Sequence, residues 1–336
     1  MHRSDSNCYR LVVHGLAVEL TCEVDDLVPQ FLRTFEPFLT PAFPEGFVPT
    51  SGLIRPYDAS EVSRSLSPSA IPVNLPNQLI EIYEQDEHFW ILDDHWGMTQ
   101  FNLLRGQFRS WILAHPTVDS VRCLDSALLW PLAQLLRAKG LHLIPAISIA
   151  KGNWGALILT PFGIESELRA LIEAGYQIIG QRWTAIREEE GKISLLHIPG
   201  QVECTHAPRL RVAGTSAIPE RWVDLGGACP DSVRHHAYCE TVLVVVPGRR
   251  PRSRLHELSP TTAANTLKRD WPIAELHPHR RGGQLPTRLA NNCRVAEVHL
   301  SRQAEDFVLL LESMRPLTSI LTSPFNRPAS QQPLAS

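Results

Sequence analysis

The first third of the chain alternates apolar and polar positions in short runs, which is typical of strands. Tyr9 to Glu23 (YRLVVHGLAVELTCE) alternates in this way and predicts one or two strands. Asp25 to Phe38 has the spacing of a short amphipathic helix that leads into a Pro-rich turn. Further strand-like runs follow at residues 77–86, 88–92 and 98–106, the last after the turn DDHWG. Residues 1–118 are therefore expected to form a strand-rich N-terminal region.

The middle of the chain changes to helical spacing. Asp125 to Lys139 (DSALLWPLAQLLRAK) predicts a helix that stops at Gly140, with a kink or a late start at Pro131. Two apolar runs follow, Leu141 to Ala150 and Ala156 to Leu159, which both predict strands joined by the turn KGNWG.

The stretch from Gly155 to Trp183 (GALILTPFGIESELRALIEAGYQIIGQRW) passes from an apolar strand through a turn into a helix. The helix is expected over Glu165 to Ala174, with Gly175 as its end, and strands are expected at 176–180 and 183–187. A strand, turn, helix and strand with short connections indicate an α/β protein with a parallel or mixed sheet.

The last third predicts a buried strand at Thr241 to Val246 (TVLVVV), then a helix over Leu258 to Arg269. Residues 270–292 are predicted as a loop because they are rich in His, Arg, Gly and Pro. A final strand (295–300) and helix (303–314) precede a polar, Pro-rich end at 321–336 that is predicted to be disordered.

Composition narrows the class of protein. The 336 residues are 43% hydrophobic, which is enough for a sizeable core. A net charge of -3 argues against a generally basic surface for nucleic acid. No apolar run reaches the length of a signal sequence behind a basic start or of a membrane span, which favours a cytoplasmic protein. The seven cysteines are scattered and never spaced as CxxC, so we expect neither a disulfide framework nor a metal site.

Several stretches resemble the HPr serine kinase-like family, whose P-loop fold is related to phosphoenolpyruvate carboxykinase. They lie at residues 128–161, 173–183 and 244–267, and YRLVVHGLAVEL resembles the opening strand of the small bacterial branch. The resemblance implies an HPr-kinase-like core at 119–320, with a mixed sheet flanked by helices, between the strand-rich region 1–118 and a tail at 321–336.

The stretch that corresponds to the family's P-loop lacks its lysine. A P-loop aims backbone N–H groups at phosphates, a Lys neutralises them, and a Ser or Thr holds magnesium. Here the loop is TPFGIESEL, in which Gly163, Ile164, Ser166 and Glu167 resemble the motif while Glu165 stands near the missing Gly-Lys pair. Carboxylates suit a helix N-terminus but repel a triphosphate. These five residues are therefore interpreted as a vestigial nucleotide site.

Two further parts of the family's machinery are replaced. The resemblance places two adjacent acids, for magnesium and for the acceptor hydroxyl, at Gln181 and Arg182. It places a histidine at Pro145, and His142 is a poor substitute because it faces the other side of a strand. Pro145, Gln181 and Arg182 are therefore vestigial catalytic positions, and the combined losses remove most of the charge stabilisation that phosphoryl transfer needs.

The most concentrated basic segment is GRRPRSR, with Arg249, Arg250, Arg252 and Arg254. These side chains suit a phosphate, an acidic peptide or the acidic face of a partner protein. Family kinases are often oligomers, so the resemblance also implies self-association. No nucleic acid, membrane or cofactor is expected as a partner.

Three hypotheses follow. The first is a catalytically inactive, pseudokinase-like protein that binds or regulates a protein or peptide, or scaffolds it. The alternative is an active ATP- and magnesium-dependent serine kinase, or another nucleotide-using enzyme, whose catalytic groups have moved to His142, Arg169, Arg182 or the basic turn. The third is a structural subunit whose interface would include the eight Trp residues and the stretch Phe89 to Leu92 if they were exposed.

Overall fold

The computed structural model describes residues 7–65, 71–73, 80–85, 87–93, 96–113, 120–160, 164–203, 222–224, 227, 229–270 and 284–315. The chain divides into two compact units, of which one comprises residues 1–144 with 265–286 and the other 145–264 with 287–336. No helix among the described residues is long and apolar enough to cross a membrane. The C-terminal segment 321–336, predicted to be disordered, lies outside the described residues.

The elements of the first part of the chain are mainly strands. They are β1 (Asn7–Val13), β2 (Leu16–Cys22), α1 (Val28–Phe35), β3 (Thr50–Pro56), α2 (Ala59–Ser65), β4 (Ile71–Val73), β5 (Ile80–Gln85), β6 (His88–Asp93), β7 (Gly97–Asn102), β8 (Gln107–Ile112), α3 (Ser120–Leu124), α4 (Trp130–Ala138) and β9 (Leu141–Pro145).

Eight of these strands form one mixed sheet in the order β1-β2-β3-β8-β7-β6-β5-β4. The alternating pattern of Tyr9 to Glu23 is confirmed as a hairpin that turns at His14 and Gly15, both with positive φ. Strand β3 runs parallel to both β2 and β8, while the other neighbours are antiparallel. Phe89, Trp90 and Ile91 are at most 3% exposed in β6, so the stretch 89–92 does not present the exposed interface of the third hypothesis.

The helix predicted over Asp125 to Lys139 begins earlier and has a π-helical turn at Asp125–Leu129 between α3 and α4. Pro131 lies in the first turn of α4, where its missing N–H is tolerated. The proline cannot donate to the carbonyl of Ala127, and the Ser110 hydroxyl does so instead at 2.6 Å. A side chain from the sheet therefore replaces the helical hydrogen bond.

The rest of the chain alternates strands and helices. These elements are β10 (Ile147–Lys151), β11 (Trp154–Leu159), α5 (Glu165–Glu173), β12 (Gln177–Gly180), β13 (Trp183–Glu189), β14 (Lys192–Leu196), β15 (Val202–Glu203), β16 (Trp222–Val223), β17 (His236–Arg250), β18 (Arg254–Glu257), α6 (Pro260–Asp270), α7 (Leu285–Asn292), β19 (Arg294–Ser301) and α8 (Ala304–Met314).

Strand β17 is the centre of the second unit's sheet. Its neighbours β11 and β19 both run parallel to it, while β10 is antiparallel to β11 and to β12. Helices α5 and α8 pack on the sheet through apolar side chains that are all fully buried: Ile158, Leu168, Leu171, Val298, Phe307 and Leu311. The predicted mixed α/β fold is confirmed.

One prediction for this region is wrong. Residues 270–292 were expected to be a loop, but 285–292 form α7. Leu285 and Leu289, one helical turn apart, are at most 3% exposed, so this short helix is held by an apolar face. Pro286 does not prevent the helix because it lies in the first turn.

Candidate functional site

The candidate residues of the second unit converge because of strand direction. Strands β11, β12, β17 and β19 all run the same way, since β11 and β12 are each antiparallel to β10, and β17 is parallel to both β11 and β19. Their carboxyl ends therefore lie along one edge of the sheet, which is where ligands of open α/β sheets usually bind. The first turn of α5, the pair Gln181-Arg182 and the basic turn after β17 all follow these ends.

The loop between β11 and α5 leads into a helix start held by the core. Gly163 lies outside the described residues. Ile164 precedes the helix, is fully buried, and accepts a 2.9 Å hydrogen bond at its carbonyl from the N–H of Leu168. The position next to this helix start is therefore fixed by apolar packing.

Glu165 opens α5 and is paired within the helix. Its Oε1 lies 2.8 Å from NH2 of Arg169 and accepts a 2.9 Å hydrogen bond from Nε of the same side chain. The glutamate is 9% exposed, and the helix dipole favours a carboxylate at this end. Arg169, four residues after Glu165, is thus engaged in an ion pair within the helix.

Glu167 adds a second carboxylate to this turn. It is only 1% exposed, and its Oε2 accepts a 2.8 Å hydrogen bond from the hydroxyl of Ser166. According to the resemblance, a hydroxyl here would hold magnesium on a nucleotide. These residues do not fit a magnesium triphosphate, because two acids and an internally bonded hydroxyl occupy the turn that would face the phosphates.

Gln181 and Arg182 follow β12. The Gln181 side chain is 4% exposed and donates a 2.8 Å hydrogen bond from Nε2 to Oδ1 of Asp224. The same oxygen accepts the N–H of Gly227 at 2.9 Å. Arg182 is half-buried, and its Cβ is 3.7 Å from the position a Cβ would take at Gly200. The Gln181 amide is thus engaged with Asp224, next to the half-buried cation of Arg182.

The remaining candidate catalytic residues lie on β9 and in α5. Pro145 is an exposed residue at the end of β9 and has no side chain for proton transfer. His142 is half-buried on the same strand. Arg169, the third candidate catalytic residue of the active-kinase alternative, forms an ion pair with Glu165.

The basic turn joins β17 to β18. Gly248 adopts a positive φ of 96° just before it, and the side chains of Arg250, Arg252 and Arg254 are exposed. The structure describes the backbone of Arg249 within β17 but not its side chain. Within the described part of the chain, the three exposed arginines form no ion pair. They form a basic surface at this turn.

Strand β19 adds to this surface in a way that the sequence did not reveal. Ser301 is paired with Arg250, and its N–H donates a 3.0 Å hydrogen bond to the hydroxyl of Ser253 inside the turn. The exposed Arg302 comes directly after Ser301. A fourth arginine therefore extends the basic turn, although it is far away in the sequence, because β19 lies parallel to β17.

Histidine and acidic side chains do not assemble into a metal centre within the residues that the structure describes. The adjacent His235 and His236 diverge: the former meets His197 edge to face at 5.4 Å, and Nε2 of the latter is 3.3 Å from the Ser194 hydroxyl. The segment HPHRR at 277–281, a further candidate for a metal or an anion, lies outside the described residues.

Comparison with known proteins finds likenesses only among solved structures. No family model matches the chain, and no curated protein matches it. Among solved structures, the chain is similar to the HPr(Ser) kinase/phosphatase from Coxiella burnetii, at 13% identity and a TM-score of 0.29, over 52% of this chain and 93% of that chain. At this TM-score, no residue role or activity is carried over from that protein.

Proposed function

We propose that this chain is a non-catalytic, pseudokinase-like protein that binds a protein or peptide partner through the basic turn. The observation that carries the proposal is the first turn of α5, where Glu165 and Glu167 are buried and internally bonded. The acids occupy the helix end at which a kinase of the resembling family would hold phosphate.

Electrostatics supports the absence of nucleotide chemistry. Two like unit charges 4 Å apart repel by about 4 kcal/mol at an effective dielectric constant of about 20, a factor of roughly a thousand in affinity. Arg169 offsets Glu165, whereas Glu167 is only 1% exposed and accepts a hydrogen bond from the neutral Ser166 hydroxyl. The Gln181-Asp224 hydrogen bond likewise presents an amide in place of a metal-binding acid.

The basic turn supports partner binding. Arg250, Arg252, Arg254 and Arg302 project from neighbouring strand ends with exposed side chains. Arginine binds carboxylates with two parallel hydrogen bonds, so a cluster of exposed arginines suits an acidic peptide segment. The chain's net charge of -3 makes this local positive surface a distinct feature of the molecule.

The first test measures the melting temperature of the full chain with and without magnesium-ATP or magnesium-ADP at millimolar concentration. A ligand at about 100 times its Kd stabilises a protein by about 2.7 kcal/mol, so binding would raise Tm by several degrees. We expect no shift. A clear upward shift, accompanied by magnesium-dependent phosphate transfer, would overturn the non-catalytic function and favour the active kinase.

The second test measures binding of a fluorescent polyglutamate peptide by anisotropy. We expect binding that weakens with added salt and falls more than tenfold in the variant Arg250→Glu, Arg252→Glu and Arg254→Glu. A control variant makes the same charge change at other exposed sites: Arg33→Glu, Lys139→Glu and Lys268→Glu. Equal losses in both variants, or no binding by the wild type, would count against the basic turn as the binding surface.

A further inference from the structure

Two cysteines of the second unit lie in direct contact. Cys239 belongs to β17 and is 4% exposed, whereas Cys293 is half-buried between α7 and β19. Sγ of Cys293 donates a 3.2 Å hydrogen bond to the carbonyl of Cys239, 54 residues earlier in the chain. The contact joins two segments that the sequence separates widely.

A β-bulge brings these side chains together. Cys239 and Thr241 of β17 pair with two consecutive residues of β11, Gly155 and Ala156. Glu240 therefore has no partner in β11 and is the extra residue of the bulge. Thr241 is paired with Arg294 of β19, which directly follows Cys293. Without the bulge the two cysteines would be offset by one position and would face opposite sides of the sheet.

Because of the bulge, Cys239 takes the position just before Thr241 in the strand pairing. Cys293 directly precedes Arg294, the partner of Thr241, so the two cysteines lie opposite each other. Neighbouring strands lie about 4.8 Å apart, which falls within the Cα separations that a disulfide spans. A hydrogen bond between the two thiols, together with burial, raises the pKa of Cys239 well above its usual value. Cys239 therefore stays protonated, and the more accessible Cys293 is the thiol that meets a reagent first.

We propose that Cys239 and Cys293 form an oxidative modification site, which a peroxide converts reversibly into an intramolecular disulfide. This site includes neither the first turn of α5 nor the arginines of the basic turn, so it does not depend on the proposed function.

The reaction balances as two successive displacements. The Cys293 thiolate attacks one oxygen of hydrogen peroxide, the O–O bond breaks, and the sulfur becomes a sulfenic acid while hydroxide leaves and takes up the thiol proton as water. The Cys239 sulfur then attacks that sulfenic sulfur, the S–O bond breaks, and a second water leaves with the Cys239 proton. Two thiols are oxidised, one peroxide is reduced, and two waters form.

The test treats the native full chain with hydrogen peroxide, blocks remaining thiols, and identifies linked peptides by mass spectrometry. We expect one linkage, between the peptides of Cys239 and Cys293, which dithiothreitol reverses. The variant Cys293→Ser should lose the linkage. The variant Cys239→Ser should instead accumulate a sulfenic acid at Cys293 that dimedone traps, because its resolving thiol is absent.

The matched control is Cys229→Ser, which removes an exposed cysteine and should leave the linkage intact. Circular dichroism establishes that each variant is folded, and Cys293→Ala serves as a second variant if the serine is not tolerated. Two results would overturn the proposal. One is a wild-type protein in which Cys293 proceeds to sulfinic acid without any linked peptide. The other is a linkage that forms only between chains through Cys8 or Cys229.

Discussion

Nζ of Lys151, the last residue of β10, donates a 2.7 Å hydrogen bond to Oε1 of Glu312 in the last turn of α8. The same ammonium group donates to the carbonyl of Ala174 at 2.7 Å and lies 4.8 Å from the centre of the Tyr176 ring. Arg315 donates to the other carboxylate oxygen of Glu312 at 2.8 Å. One carboxylate thus joins the C-terminal helix to the sheet and to the end of α5.

We expect Glu312→Ala to lower the free energy of unfolding by about 1–3 kcal/mol, because it removes the anion that Arg315 contacts. The Arg315 side chain is only 7% exposed, so its charge is poorly solvated. Urea denaturation gives the change. The control is Glu189→Ala, which breaks the exposed pair with Arg187 and should change stability by about 0.5 kcal/mol or less. Equal effects of both variants would contradict the role given to Glu312.

The free energy of unfolding is also predicted to depend on pH through Glu312. Burial would raise the pKa of Glu312, but hydrogen bonds from Lys151 and Arg315 outweigh it and lower the pKa below its usual value of 4.5. A carboxylate with a lowered folded-state pKa stabilises the fold above pH 4.5 and loses that contribution as pH falls through the folded-state pKa.

Denaturant unfolding at pH values from about 7 to about 3 measures this effect. The wild type should lose more stability than Glu312→Gln on acidification, and the two curves should converge at the acid end. A constant difference between the curves across the pH range would show that Glu312 does not contribute to acid sensitivity.

Ser110 is predicted to be essential for the π-helical turn. Ser110→Ala should cost about 1–2 kcal/mol, because the buried carbonyl of Ala127 loses its donor. Pro131→Ala returns an N–H group to this stretch and should reduce that cost in the double variant, which a double-mutant cycle detects as coupling. Ser51→Ala, at an exposed position of β3, is the control and should be nearly neutral. Additive effects of the two substitutions would contradict this account.

Gly155→Ala should disrupt the contact between β11 and the bulge of β17. A Cβ at this position would lie 2.4 Å from the backbone oxygen of Tyr238 and 3.2 Å from Cβ of Ala237, so backbone must move. We expect a loss of more than about 2 kcal/mol, together with a loss of the Cys239-Cys293 linkage. Gly200→Ala, where a Cβ would meet nothing closer than 3.7 Å, is the control. A neutral Gly155→Ala would show that the bulge is not held at this glycine.

Periodicity predicted most elements because apolar positions face the core in regular steps. The hairpin at Tyr9 to Glu23, the helix starting at Glu165 and the strand within Thr241 to Val246 are all present. The π-helical turn was beyond this reasoning, since the Ala127 carbonyl within it accepts its hydrogen bond from the Ser110 hydroxyl, which only the folded sheet brings there. The helix at 285–292 was missed because its Pro and its polar residues favoured a loop, and only two leucines indicated a buried helical face.

The sequence predicted the local features of the candidate site but not its contacts between distant segments. The acids at Glu165 and Glu167 are local to one helix turn, so the sequence indicated a helix start that carries its own charges. The hydrogen bond between Gln181 and Asp224, and the extension of the basic turn by Arg302, depend on strand pairing between distant segments. The contact of Cys239 with Cys293 also depends on a single-residue bulge, which no periodic pattern reveals.

The parallel pairing of β17 with β19 has a consequence during synthesis on the ribosome. Cys239 and Cys293 are 54 residues apart, so at about 5–20 residues per second β19 emerges several seconds after the start of β17. In the folded protein β11 pairs with one edge of the segment TVLVVV and β19 with the other, so the second edge has no partner strand until β19 has been translated. The nascent chain therefore carries an apolar strand edge open to other nascent chains until Arg294–Ser301 has been made.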